Sequence, residues 1–395
     1  MKKYTFFLFI MCLFVNLLAD AQGIDNNIRS VKYSDYDASQ ISGAEQVVPN
    51  NQSSLLDVVF TSSNLPIIVI NTNNVTIPDS PKIPAHMGII YNGPGVRNYM
   101  TDSFNNYNNN IGIELRGSTS QSFPQKPYGL ETRDSSGLQH DTIVLQMPEE
   151  NDWILYPPYD DKTCMRNTLV YDLANKTGHY AVRTKFCELV LNGNYQGIYV
   201  WMEKIKHDQN RVDIAKMDTW DTLGDALTGG YIFKIDKTTG SGGSDGWNST
   251  YLTDGGHTLR FLYEYPAYDA IVVPQENYIR AYVDSFEVAL KSNYFADPVN
   301  GYRKYIDVNS FIDYFLLSEF TRNVDSYRLS TFLYKQRNSE GRKIVCGPVW
   351  DYNIALGNAD YNNGASTSGW AYVDNENFTG DDPFWWAWFM QNTSF

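Results

Sequence analysis

The chain has few of the residues that build disulfide frameworks and zinc sites: four cysteines and five histidines in 395 residues. Cys12 lies inside an N-terminal apolar run. The other three, Cys164, Cys187 and Cys346, are odd in number and match no zinc spacing, so buried free thiols are expected. His86, His140, His179, His207 and His257 are scattered without HxxxH or HExxH spacing, and none is assigned to a metal. Charged residues make up only 19% and the net charge is −14, which argues against a nucleic-acid partner, because neutralising phosphates takes clustered Lys and Arg. Past the N-terminus no apolar run approaches the roughly 20 residues of a membrane span, so no stable membrane insertion is expected. GxSxG is missing, which removes the usual serine-hydrolase reading, and no motif supports glycoside hydrolysis by paired carboxylates.

What is present begins with an address. Lys2 and Lys3 precede the apolar run Tyr4 to Leu18, and Ala19-Asp20-Ala21 supplies small residues for cleavage. Residues 1–21 read as a signal peptide, so the chain is expected to be exported to the periplasm, cell surface or medium. Residues 22–54, rich in Asn, Ser and Asp, suit a loose arm. An aromatic content of 15%, with 29 Tyr, then indicates strands and a filled interior. Runs at Leu55–Phe60, Leu65–Ile70, Ile111–Arg116, Tyr128–Arg133 and Thr142–Gln146 read as short antiparallel strands. Lys162–Lys176 has helical spacing with Gly178 as its cap. Cys187–Leu191 and Gly197–Met202 frame Asn192-Gly193, a strong hairpin signal.

Gly230–Ile235 reads as a further strand, and the helical patterns Glu276–Lys291 and Ser310–Thr321 follow. A sheet-rich first half and a helix-rich second half make the expected class α+β, divided into residues 55–204 and 205–395. The glycine-rich run Gly240–Gly246 has no Lys-Ser/Thr ending and reads as a surface loop or lid rather than a nucleotide loop. The aromatic run Phe384–Phe389 near the last residue would form an exposed patch, which implies a continuation covering it.

Candidate chemistry concentrates between Glu319 and Gly357. Phosphoryl transfer needs one carboxylate near the attacking hydroxyl and another on the magnesium, placed before and after a β-hairpin. Asp325 and Asp351 flank such a hairpin, and Asn353 adds a carbonyl oxygen that reads either as a further hard ligand or as a partner orienting Asp351. An Asp after a helix is also a common cap or turn residue, so spacing alone leaves both readings open.

Ordered motifs decide the weighting. They are Arg116-Gly117-Ser118, Phe123 to Tyr128, Asp152-Trp153-Ile154-Leu155, Asp161-Lys162, Arg166-Asn167, Glu188 to Tyr195, Gly197-Ile198-Tyr199, Glu203-Lys204, Gly229 to Lys234 and Trp350-Asp351. In these the chain resembles the CotH kinase family, first known from bacterial spore coats, over roughly residues 55 to 360. The resemblance implies a divergent, two-lobed protein-kinase-like fold and transfer of phosphate from ATP, with Mg2+ or Mn2+, to Ser or Thr of a protein substrate. It makes Asp325 the catalytic carboxylate, Asp351 the metal ligand with Asn353 and Ser330 beside it, and Lys126 the phosphate lysine. Arg116 is placed with Lys126 at the nucleotide, and the turn Gly117–Ser122, with Ser118 and Ser120, reads either as donors covering the phosphates or simply as a turn. Ser330 stands where a protein kinase has Asn, and Asn353 where Trp-Asp-x-Asp is frequent. A second reading therefore keeps the fold as a weakly active or inactive scaffold, or as a carbohydrate- or matrix-binding protein. Glu188 and Glu203 are alternative partners for Lys126 or members of ordinary ion pairs. Arg166 reads either as a phosphate contact or as the partner of Asp172.

Overall fold

Ile67, Ile68, Val69 and Ile70 form a β-branched run whose side chains alternate between two apolar clusters, as the two-residue period of a strand requires. In chain order the strands are β1 (Ser62–Ser63), β2 (Ile67–Asn71), β3 (Ile83–Ile90), β4 (Asn98–Tyr99), β5 (Tyr107–Leu115), β6 (Tyr128–Thr132), β7 (Asp152–Tyr156), β8 (Thr184–Leu191) and β9 (Asn194–Glu203). Seven of them close a barrel in the order β2-β3-β5-β6-β7-β9-β8. Every pair is antiparallel except β2 with β8, the parallel seam that closes it. Ile68, Met87, Ile111, Leu130, Leu155, Leu189 and Trp201 fill its interior, with the Trp153 and Trp201 rings 5.2 Å apart. The β8–β9 turn has Asn192 at φ 49° and Gly193 at φ 78°, the left-handed pair that makes Asn-Gly the preferred hairpin dipeptide.

The computed structural model describes residues 60–238, 245–341, 343–392 and 395, all within one compact unit, Val58–Phe395. The signal-peptide and arm readings, the run 55–59 and residues 240–244 lie outside the described residues.

Beyond the barrel come α1 (Arg166–Thr177), α2 (Gly224–Leu227), β10 (Tyr231–Ile235), β11 (Gly246–Leu252), β12 (Thr258–Tyr265), α3 (Val273–Leu290), α4 (Val308–Thr321), β13 (Thr331–Lys335), β14 (Ile344–Cys346), α5 (Ala371–Phe378) and α6 (Trp385–Phe389). The last five strands form a second sheet, β11-β12-β10-β13-β14, antiparallel throughout. The class is α+β with sheets dominating. The second half holds five of the six described α-helices, as expected, but also five strands that short, turn-broken sequence runs had hidden.

Three local expectations change as well. Thr142–Gln146 is no strand: Leu145 (φ 51°) and Gln146 (φ 67°) turn the chain, leaving only a bridge from Thr142 to Glu150. The helix expected from Lys162 begins at Arg166, because residues 161–165 form a turn around the Asp161 carboxylate, with Cys164 at φ 59°. Its end is as expected, with Gly178 at φ 95° as the left-handed cap. The aromatic run near Phe395 is no exposed patch. Phe384, Trp385, Trp386 and Phe389 are buried, Trp385 against Phe286 and Trp386 against Tyr327, which gives α6 a place in the larger core.

Candidate functional site

β13 and β14 pair as a hairpin in the register Leu333 with Cys346 and Lys335 with Ile344, with Asp325 before it and Asp351 after it. Helix α4 stops at Arg322 (φ 48°), and the chain turns through Asn323 to Asp325. Arg328 pairs with the Asp325 carboxylate, and the Tyr361 hydroxyl donates to it at 3.1 Å. On the other side of the hairpin, α1 fixes the backbone. The N–H of Asp351 donates to the Tyr171 hydroxyl at 3.2 Å and that of Tyr352 to Asn167 Oδ1 at 2.6 Å. Asp351 itself has φ 57° and faces Ser330 (φ 47°), whose hydroxyl donates to Asp351 Oδ2 at 3.0 Å. Two facing non-glycine residues in left-handed backbone are strained, and such strain persists where surrounding structure enforces it.

The Asp351 side chain is exposed to solvent, yet densely surrounded by protein. That surrounding mass pushes its carboxyl above the ordinary range; the Arg116 guanidinium and the Ser330 hydroxyl pull it back, and Asp236 pushes it further. Arg116 follows β5 and lies over the Trp350 ring at 5.7 Å. Desolvation draws its pKa down and Asp351 opposes this, so the guanidinium stays charged beside the carboxylate. On β10, Lys234 meets Glu264 at 3.1 Å and Asp236 at 3.9 Å. Burial lowers the Lys234 ammonium, but these two carboxylates outweigh it and leave its pKa raised. Asp236 is raised by burial, against the pull of Lys234 and the N–H groups of Lys237 and Ser330. Ser330 thus touches two carboxylates, one through its hydroxyl and one through its backbone.

The structure brings together Asp351, Ser330 and Arg116 from the expected set. Lys126 is placed differently: its ammonium donates to the Gln121 carbonyl at 2.7 Å, and neither Glu188 nor Glu203 pairs with it. Glu188 accepts from Ser63 and Tyr195, whereas Glu203 pairs with Arg183 and Arg211. Ser118 and Ser120 belong to the turn that follows Gly117 (φ 88°), where a Cβ on Gly117 would collide with Ser120 Oγ. The neighbouring Thr119 receives a bond from Lys237 at 3.4 Å, which ties this turn to the end of β10. The Asn353 amide donates to Asp160 at 2.7 Å. Arg166 pairs with Asp161, while Asp172 is taken by Lys176.

Sequence reasoning passed over Lys234, Asp236, Glu264, Asn167 and Tyr171. Lys234 closes the Gly229–Lys234 motif, so its motif was visible while its role was not. Glu264 gave no signal, since it is the extra residue of a β-bulge where β12 slips register opposite Ile232 and Phe233.

Among the described residues no group of three or more His, Cys, Asp or Glu gathers as a metal cage. Asp351 and Ser330 still offer a carboxylate and a hydroxyl, the carboxylate open to solvent. That suits magnesium, which binds through one or two carboxylates and keeps its remaining positions for water and phosphate oxygens. Compared with family models, residues 113–395 match one described as CotH kinase protein. A comparison with curated proteins finds no match.

Proposed function

The chain belongs to the CotH kinase family, and from that membership we propose that it is an exported kinase that moves the γ-phosphoryl group of Mg-ATP to Ser or Thr hydroxyls of a protein. The observation that carries the reading is the solvent-exposed Asp351 carboxylate, bonded to the Ser330 hydroxyl and attracted to the Arg116 guanidinium. On this reading the barrel and the second sheet are the counterparts of two kinase lobes, and the β13–β14 hairpin carries the catalytic segment. Residues 1–21 would direct export.

Asp351, with Ser330, would hold the metal, whose chemistry is to neutralise charge on the phosphates. Arg116 would meet a phosphate oxygen. Asp325 would take the proton of the acceptor hydroxyl as that oxygen bonds to the γ-phosphorus and the bond to the β-phosphate oxygen breaks, releasing ADP. Asn353, engaged by Asp160, would steady the Asp351 loop from behind rather than bind metal.

A second reading, a nucleotide-binding scaffold without turnover, is favoured by one observation: the Asp325 carboxylate is occupied by Arg328 and Tyr361. One experiment separates the two. Purified protein is titrated with Mg-ATP by thermal shift and then incubated with α- and γ-labelled ATP and an acceptor protein. The kinase reading expects binding that Asp351→Ala abolishes, and transfer of the γ label alone. Binding without transfer supports the scaffold, transfer of the α label makes the enzyme an adenylyl transferase, and no binding at millimolar nucleotide removes the kinase reading.

A further inference from the structure

The charged and polar groups around Asp351 come from four separated stretches of chain. Arg116 lies at the end of β5, Lys234 and Asp236 at the end of β10, Glu264 on β12 and Ser330 just before β13. Ser330 links them, since its hydroxyl meets Asp351 and its N–H meets Asp236, whose carboxylate lies 3.9 Å from Lys234. Arg116 and Lys234 are close enough to repel one another, and both are attracted to Asp351.

Arg116 is the unusual member. Among the described residues no acceptor takes its side-chain N–H groups. It lies over the Trp350 face, which braces the guanidinium while leaving its donors open. A planar guanidinium with open donors beside a carboxylate that favours magnesium matches the oxygens of a phosphate chain. Lys234 supplies the second cation. It is held from below by Glu264 on the bulge and stacked over Phe332 at 5.1 Å, and its side chain is about one-quarter exposed. Lys126, by contrast, has its ammonium on the Gln121 carbonyl.

We infer that Lys234, held by Glu264 and acting with Arg116, is the lysine that grips the polyphosphate of the nucleotide, in place of Lys126. The inference rests on the nucleotide-binding reading and changes which residues recognise the phosphates. Lys234 lies on the second sheet, so the phosphates would be held between the β5–β6 connection and β10 rather than against a barrel strand. Glu264 would be a positioning residue, aiming the ammonium without touching the nucleotide.

The test measures affinities of the full chain for AMP, ADP, ATP and inorganic tripolyphosphate with Mg2+, by calorimetry, in the wild type and in Lys234→Met, Lys234→Arg, Glu264→Gln and Lys126→Met. Apo thermal unfolding of each variant reports folding. The expected result is a roughly 10- to 100-fold loss of ATP and tripolyphosphate affinity in Lys234→Met, equivalent to about 1.4 to 2.8 kcal/mol. AMP should change little, Lys234→Arg should recover part of the loss, and Lys126→Met should stay within about threefold of wild type. Glu264→Gln should weaken ATP without altering AMP. If Lys126→Met loses the affinity and Lys234→Met keeps it, the inference is overturned while the nucleotide reading stands. If the wild type binds none of the four ligands, both are overturned. A Lys234→Met protein that does not fold leaves Lys234→Arg and Glu264→Gln to decide, and unchanged ATP affinity in both overturns the inference.

Discussion

Ser330 occupies a left-handed backbone position at φ 47°, where Asn is tolerated better than most side chains. The resemblance to protein kinases implies Asn at this position, and that side chain suits the conformation better than Ser does. Ser330→Asn should therefore fold normally and place an amide oxygen near Asp351. Because an amide oxygen is a better hard-metal donor than a neutral hydroxyl, Mn2+ binding in the presence of ATP is expected to tighten several-fold, measured by paramagnetic titration. A looser site would show that the hydroxyl's bond to Asp351 matters more than the added donor. At this scale the site was half legible. Asp351 and Arg116 stood out as motif residues. The Lys234–Glu264 pair did not, because their meeting depends on a register slip that no local pattern announces.

Elements were legible where a single period or cap governed them. The Asn192-Gly193 hairpin, α1 with its Gly178 cap, and α3 and α4 are all present, the last started by Asp307, whose carboxylate accepts from the Ser310 N–H. Strands β3, β7, β11 and β12 were missed. They pair with distant segments or combine polar and aromatic residues, so their burial comes from tertiary partners rather than from alternation. Helix α3 also carries a carboxyl that sequence cannot flag. Glu287 is fully buried and accepts from Ser249 at 2.7 Å and Trp385 at 3.0 Å. Burial, opposed by those two bonds, pushes its pKa up to about 7 from an ordinary 4.5. Between these values the folded protein holds a proton that the unfolded chain has lost. Stability should thus be highest below that window, fall as pH rises through it and level off above, by about 3 kcal/mol in all. Glu287→Gln mimics the protonated side chain and should flatten that slope in urea titrations between pH 5 and 8. An unchanged slope would assign the pH dependence to other groups.

At the scale of the whole molecule, the chain leaving the barrel is tied back to it by buried charge. Arg211 is fully buried and reaches Glu203 at the end of β9 (3.2 Å), Asp208 (2.9 Å) and Glu150 before β7 (3.6 Å). Removing Arg211 leaves the buried carboxylates of Glu203 and Glu150 with one cation each, Arg183 and Lys206, so Arg211→Met should lower stability by up to roughly 3 kcal/mol, read from the urea midpoint. An equal or higher midpoint would mean that hydrophobic packing replaces the network at no cost. The α+β class was legible from composition and run lengths. The barrel was not, because closure is a property of one long-range pairing.

That pairing, β2 alongside β8, joins Ile67–Ile70 to Glu188–Leu191 across more than a hundred intervening residues. A ribosome or an export channel delivers the chain from its N-terminus, so β2 emerges with one edge already able to pair with β3 and the other waiting for β8. Until Leu191 has emerged the sheet is an open ribbon with two unpaired margins, the geometry that invites pairing with another chain. Closure is therefore an event with a definite moment in biosynthesis, and the interval before it is the window in which a chaperone holding that margin would matter.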